Sequence, residues 1–172
     1  MSTTTHPLLK PLKQIEHGLD AIIQPVVFAG MMALIGVITL QIISRVLFSA
    51  AGWTEEVARF LLVWITFLAG TLAFQRGRHI AVTFAVDALP RPLRQAARIV
   101  AVLSVIAFMV ALVVIGYRYM QVQSFQNSAS LRLSMTYVYA VIPISAAVMG
   151  WYALVDLLEL LLDGERTEEP SQ

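Results

Sequence analysis

The amino-acid sequence predicts an all-α integral membrane protein that forms a single domain over residues 1–172. Hydrophobic residues make up 58% of the chain and charged residues 13%, with a mean hydropathy of +0.75. A soluble domain has roughly 25% charged residues. Four apolar stretches also have about the 20 residues that a helix needs to cross a bilayer. We expect transmembrane helices at about 24–48, 54–75, 97–119 and 133–158.

Composition also excludes several functions. The absence of cysteine excludes disulfides, cysteine-ligated zinc and thiol catalysis. A net charge of +1 gives no reason to expect nucleic-acid binding. The sequence contains no phosphate-binding loop, no pair of catalytic carboxylates and no cluster with metal-ligand spacing. We therefore expect no enzyme activity, no metal and no cofactor.

The N-terminal region is amphipathic. Apolar residues recur at spacings of three and four, which places them on one face of a helix: Leu8, Leu12, Ile15, Leu19 and Ile22. We predict an interfacial helix over 8–23, lying on the membrane surface and separated from the first span by a bend at Pro25. The alternative is a cytoplasmic extension of the first span. The uncharged run at 21–44 is longer than the h-region of a signal peptide, which favours a retained span.

The second span has charged residues at both ends. Trp53, Glu55, Glu56 and Arg59 precede an uncharged run over 60–74, and Gln75, Arg76, Arg78 and His79 follow it. Fifteen residues can barely cross the hydrocarbon core, so the first group lies at or within one membrane surface. Ionisable groups at that depth are costly and usually functional.

The rest of the chain completes the four-span pattern. The region 76–98 has five arginines around an apolar stretch too short to span, so we predict a short interfacial segment between the second and third helices. Pro143 is expected to kink the fourth span. An acidic tail covers 163–172. The terminal side receives eight lysines and arginines against four on the other side, which predicts cytoplasmic termini.

The hairpin between the first two spans suggests an ionic cluster. Arg45 and Glu56 lie equally far from its midpoint and should share one depth, while Glu55 and Arg59 form a favourable i,i+4 pair. We hypothesise that these four charges form a neutral set that fixes the hairpin and anchors another membrane subunit. The alternatives are ordinary interfacial charges in water and headgroups, or an ion-coupling role for Glu55 or Glu56.

Together these motifs resemble a known family. They are Arg45, the segment from Trp53 through Glu55 and Glu56 to Arg59, Val63-Trp64, Phe67-Leu68-Ala69-Gly70, Arg76-Gly77-Arg78-His79-Ile80, Leu89-Pro90, Arg94 and Tyr139-x-x-Ile142-Pro143-Ile144. The pattern is similar to the small membrane subunit, of DctQ type, of tripartite ATP-independent periplasmic (TRAP) transporters. We expect Arg45, Trp53, Glu55, Glu56, Arg59, Arg76 and His79 to be subunit-interface or structural anchors.

The resemblance implies a multi-pass protein of the bacterial inner membrane that transports nothing alone and acts as a scaffold for the subunit that does. Its expected partners are a large ion-coupled membrane subunit and a periplasmic solute-binding protein that delivers a carboxylate-bearing solute. A self-contained oligomeric transporter is one alternative, but it needs ionisable residues near mid-membrane. A membrane anchor for a redox complex is another, but no pair of histidines lies inside the spans to ligate haem.

Overall fold

The structure, a computed structural model, describes residues 9–47, 52–86 and 91–166. These residues are helical apart from the connection between the third and fourth long helices. The elements are α1 (Leu9–Leu47), α2 (Gly52–Val86), α3 (Arg91–Val122), a 3₁₀ turn (Gln123–Phe125), the short α4 (Met135–Tyr139) and α5 (Val141–Arg166).

Four of these helical stretches are long and apolar enough to cross a membrane, which confirms the four-span, all-α prediction. They are Pro11–Leu47, Gly52–Gly77, Leu93–Phe125 and Met135–Leu162. Each of the four predicted spans falls mostly within one of them. The second begins at Gly52, two residues before its predicted start at 54.

The structure does not show a separate N-terminal amphipathic helix. Helix α1 runs without interruption from Leu9 to Leu47 and contains Pro25. Proline removes one backbone hydrogen bond, but long membrane helices tolerate this loss when neighbouring helices support them. At 1.5 Å per residue the 39 residues extend about 58 Å, nearly twice the hydrocarbon thickness. Residues 9–23 therefore continue the helix of the first span, as the alternative interpretation had it, and Leu8 lies outside the described residues.

The face that α1 buries at its N-terminal end also differs from the apolar face in the sequence. Glu16, Ile23 and Val27 are buried, whereas Ile15 and Ile22 are 49% and 65% exposed. The reason is that polar residues of this segment bind the neighbouring helices, so its polar face turns toward the bundle and part of its apolar face turns outward.

The predicted interfacial segment between the second and third spans is not a separate element either. Helix α2 continues through 76–86 to Val86, and α3 begins at Arg91. Residues 87–90 lie outside the described part of the chain. At the other end of the sequence, α5 continues to Arg166, so most of the predicted acidic tail also lies outside it.

The bundle consists of two helical hairpins. Helix α1 packs on α2, α3 packs on α5, and the hairpins meet mainly where α2 lies against α5. Within the described residues no Cα atom of α1 lies within 8 Å of a Cα atom of α3. The core at the seam between hairpins includes Ile23, Val27, Leu68 and Val141. Inside the first hairpin the helices approach closely at Gly30, where an added Cβ would lie 2.9 Å from Ile65 Cγ1.

The fourth span is interrupted near its outer end. Ala140 separates α4 from α5, and Pro143 lies in the first turn of α5. Because proline has no N–H, the carbonyl of Tyr139 receives no helical bond from position 143. The interruption thus lies where a kink at Pro143 is predicted; the kink itself stays a prediction.

Candidate subunit-anchoring site

The main polar site of the bundle is centred on Glu56, in the first turns of α2. Its carboxylate accepts a hydrogen bond from the Ser128 hydroxyl. It also accepts from the backbone N–H of Ser130 at 2.9 Å and from that of Leu131 at 3.1 Å. The two backbone donors reach different carboxylate oxygens, Oε1 and Oε2 respectively. One side chain of the first hairpin therefore binds the connection between the two helices of the second.

That connection, residues 126–134, folds tightly on itself. The N–H of Ser128 donates to the Leu133 carbonyl at 2.8 Å, and the N–H of Met135 donates to the Gln126 carbonyl at 3.0 Å. Arg132 closes the turn with φ of 53°, a left-handed conformation that is uncommon outside glycine. Ser128 is only 2% exposed. The carboxylate of Glu56 thus accepts from the N–H of Ser130 and shares the N–H of Leu131 with the Ser128 hydroxyl, which lies 3.3 Å from it.

The loop also lies directly against the start of α2. A Cβ added at Gly52 would lie 3.3 Å from Ser130 Oγ. Thr54, two residues before Glu56, is completely buried. Glycine at position 52 leaves space for this approach, and the contact places Glu56 beside the donors that it binds.

The neutral set of four charges predicted for the first hairpin does not form. Glu55 and Arg59 do pair, at 3.1 Å, with both side chains largely exposed. Arg45 is exposed at the end of α1 and makes no ion pair with Glu56 in the described part of the chain. The prediction was wrong because equal depth brings two residues to one membrane surface without bringing them together. The Glu56 carboxylate binds the loop of the second hairpin instead.

The remaining predicted anchor residues lie at the surface or beyond the described side chains. Trp53 is 46% exposed beside the Glu56 site. Arg76 is exposed near the opposite end of α2. The side chain of His79 is outside the described residues. Arg76 is therefore far from Glu56 along α2, and the roles of Trp53, Arg76 and His79 stay predictions.

A second polar cluster, which the sequence reasoning missed, lies at the other end of the bundle. Asp20 of α1 accepts hydrogen bonds from Gln75 Nε2 of α2 and, at 2.8 Å, from the Tyr152 hydroxyl of α5. Lys13 forms a 2.5 Å ion pair with Glu159. In the sequence each of these residues borders an apolar stretch. Their similar depth in the membrane is the signal that could have indicated this cluster.

Comparison with known proteins identifies the family. The family model of the DctQ component of tripartite ATP-independent periplasmic transporters matches residues 34–163. The chain belongs to the DctQ family. The DctQ subunit is 28% identical over 154 residues to the sialic acid TRAP transporter small permease protein SiaQ of Vibrio cholerae, an alignment that covers 89% of this chain and 87% of that protein.

Two longer relatives contain a DctQ-like part. The isethionate TRAP transporter permease protein DctMQ of Oleidesulfovibrio alaskensis is 32% identical over 145 residues, which are 78% of this chain and 22% of that protein. The sialic acid TRAP transporter permease protein SiaT of Haemophilus influenzae is 27% identical over 119 residues, which are 69% of this chain and 19% of that protein.

Family membership establishes the general function. The chain is a small permease subunit of a TRAP transporter, a multi-pass membrane protein of a transporter family and not an enzyme. A TRAP system also includes a large permease and a periplasmic component. Within the described residues no three histidine, cysteine or acidic side chains are grouped so as to hold a metal ion.

Proposed function

We propose that this DctQ subunit is a non-conducting scaffold. It holds a large, ion-coupled permease subunit in the bilayer while that subunit imports a carboxylate-bearing organic acid delivered by a periplasmic solute-binding protein. The two longer relatives support the partnership, because each joins a DctQ-like part to a much larger permease chain. The solute itself is expected to be selected by the other two components.

The observation that carries the proposal is how the hydroxyls inside the spans are used. Four of them donate to carbonyls one turn earlier in their own helices: Thr39 to Ile35 at 2.8 Å, Thr66 to Leu62 at 2.7 Å, Thr71 to Leu68 at 2.6 Å and Ser104 to Val100 at 2.8 Å. Transporters place polar groups and unwound backbone at the midplane to bind solute and ions. These four satisfied hydroxyls supply no such site, which favours a supporting role. The Ser145 hydroxyl on α5 is buried and has no hydrogen-bond partner among the described residues, but one such group does not make a solute path.

The site at Glu56 supports the same role. A scaffold has to keep its shape while a neighbouring subunit moves. The carboxylate on α2 holds the α3–α4 connection through three hydrogen bonds and so links the hairpins at one end. Trp53 and the pair of Glu55 with Arg59 lie exposed beside it, where they are available to the large subunit.

The orientation and the membrane contact of α1 complete the proposal. The excess of lysine and arginine on the terminal side favours cytoplasmic termini in the bacterial inner membrane. The exposed Ile15 and Ile22 favour contact between the N-terminal part of α1 and the headgroup region of that side.

Reconstitution tests the scaffold role. The chain alone in liposomes is expected to transport no solute, and liposomes with the large subunit, the binding protein and an ion gradient are expected to take it up only when this chain is present. Co-purification of the chain with the large subunit is the matching assembly assay. Uptake by the chain alone, or full uptake without it, would contradict the proposal.

A further inference from the structure

The two hairpins of the bundle need polar links to stay in register. Inside a bilayer, apolar helix faces gain little from meeting each other, because lipid tails are equally apolar. Most of the contact between the hairpins is the single α2–α5 seam. Packing along one seam lets the hairpins slide and rock unless hydrogen bonds between them fix the position. Such bonds occur at both ends of the seam.

At the end opposite Glu56, Asp20 joins three helices. One carboxylate oxygen accepts from Gln75 in its own hairpin, and the other accepts from the Tyr152 hydroxyl in the second hairpin, at 2.8 Å. Tyr152 is completely buried, so its hydroxyl has no access to water. The bond to Asp20 therefore supplies this buried hydroxyl with a hydrogen-bond partner.

The same face of α1 carries a second link of this kind. Lys13 lies two turns before Asp20 and pairs with Glu159 of α5 at 2.5 Å. Glu16, between them on this face, is 5% exposed. Three consecutive turns of α1 therefore present polar side chains to the bundle. An amphipathic segment that only rested on the membrane would leave those side chains in water.

The two ends of the seam are one bilayer apart. Glu56 and Gln75 are separated by 19 residues along α2, which is about 28 Å at 1.5 Å per residue. The hydrocarbon core of a bilayer is about 30 Å thick. Each carboxylate thus lies where the apolar core ends, a depth at which hydrogen bonds to protein replace those to headgroups and water.

From this geometry we infer that Asp20 is a positioning residue of the scaffold. It fixes the second hairpin on the first at the terminal end of the bundle, as Glu56 does at the other end, and it acts through Tyr152 and Gln75. The inference deepens the proposed scaffold function and rests on it for its biological meaning. The structural claim itself concerns only this chain.

Two pairs of spin labels can measure each end of the seam separately. Because the chain has no cysteine, introduced cysteines are unique labelling sites. Ile22 on α1 and Leu158 on α5, 65% and 42% exposed, report on the Asp20 end. Leu62 on α2 and Phe125 beyond α3, 54% and 92% exposed, report on the Glu56 end. Distances are measured by pulsed EPR on the full chain in lipid nanodiscs.

The expected effects are graded and local. Tyr152→Phe removes one hydrogen bond and is expected to raise the population of separated conformers at the Asp20 end about threefold, the usual effect of one interhelical hydrogen bond in a bilayer. Asp20→Ala removes two, and about tenfold is expected. Asp20→Asn keeps an oxygen for Tyr152, and the amide of Gln75 can turn to accept from it, so near-native distances are expected. His17→Ala, at an exposed site on the neighbouring turn, is the matched control.

Three results would overturn the inference: native distances in Asp20→Ala, equal broadening at both ends, or no rescue by Asp20→Asn. None of these measurements needs the large subunit. If the labels respond as expected but the chain fails to bind a large subunit or transports solute alone, the scaffold proposal fails while the positioning role of Asp20 stands.

Discussion

Replacing Glu56 tests whether its carboxylate holds the loop at 126–134. Glutamine retains one accepting oxygen and substitutes an NH₂ donor for the other. Since the N–H groups of Ser130 and Leu131 bond different oxygens, one of them must lose its bond to residue 56 in Glu56→Gln, although Leu131 keeps the Ser128 hydroxyl as an acceptor at 3.3 Å. Alanine removes all three hydrogen bonds. At about threefold per bond, the detached population of the loop should rise about threefold in Glu56→Gln and ~30-fold in Glu56→Ala.

The assay uses a single spin label at Phe125→Cys, because Phe125 is 92% exposed just before the loop. A detached loop adds a mobile component to the continuous-wave EPR spectrum. The control is Glu55→Gln, which removes the same charge one residue away from a side chain that pairs with Arg59 and not with the loop in the described part of the chain. In the assembled transporter, Glu56→Ala should also lower co-purification with the large subunit and solute uptake. An equal mobile component in Glu55→Gln, or none in Glu56→Ala, would refute the reasoning.

Three further predictions concern packing, orientation and membrane depth. Gly30→Ala should destabilise the chain by about 1–3 kcal/mol in thermal unfolding, because its Cβ overlaps a side chain of α2, whereas Gly36→Ala, with open space around it, should be neutral. Ser130→Cys should react with an impermeant maleimide from the periplasmic side of intact spheroplasts; reaction only after lysis would reverse the proposed orientation. A spin label at Ile15→Cys should be shielded from aqueous relaxant, and one at His17→Cys should not; equal shielding would argue against the proposed contact of this face with the headgroups.

The features that could be predicted from the sequence are those that depend on residues close together in the chain. Uninterrupted apolar runs give the four spans, since a bilayer sets one length for all of them. The pair of Glu55 and Arg59 follows from i,i+4 spacing within one helix. The anchors between hairpins did not follow, because Glu56 binds Ser128, 72 residues later in the chain. Equal distance from the midpoint of one hairpin predicts that two residues lie at the same membrane depth. It does not predict which loop of the other hairpin reaches that membrane surface.

The N-terminal region also shows that a local sequence pattern does not reveal what a helix contacts. Its apolar periodicity is real, but periodicity alone cannot tell a helix that rests on lipid from one that binds a bundle through its polar face. Pro25 suggests a boundary between two helices, but it lies inside one continuous helix, α1. What decides the outcome is the pairing of Asp20 with Tyr152, 132 residues away, and no local pattern contains that pairing.

The distribution of polar contacts also explains how a small subunit can keep a fixed conformation although its helices are not closely packed. Helix α1 leaves much of its apolar surface open, with Phe28, Ile35 and Ile42 each more than half exposed. In water such a surface would destabilise the fold, but in a bilayer lipid tails or a neighbouring helix cover it at little cost. The helices therefore stay accessible to a partner along their length, while the hydrogen bonds of Glu56 and Asp20 hold the hairpins at the two membrane boundaries. A scaffold built this way can bind a moving neighbour through its apolar sides and keep its own shape through its ends.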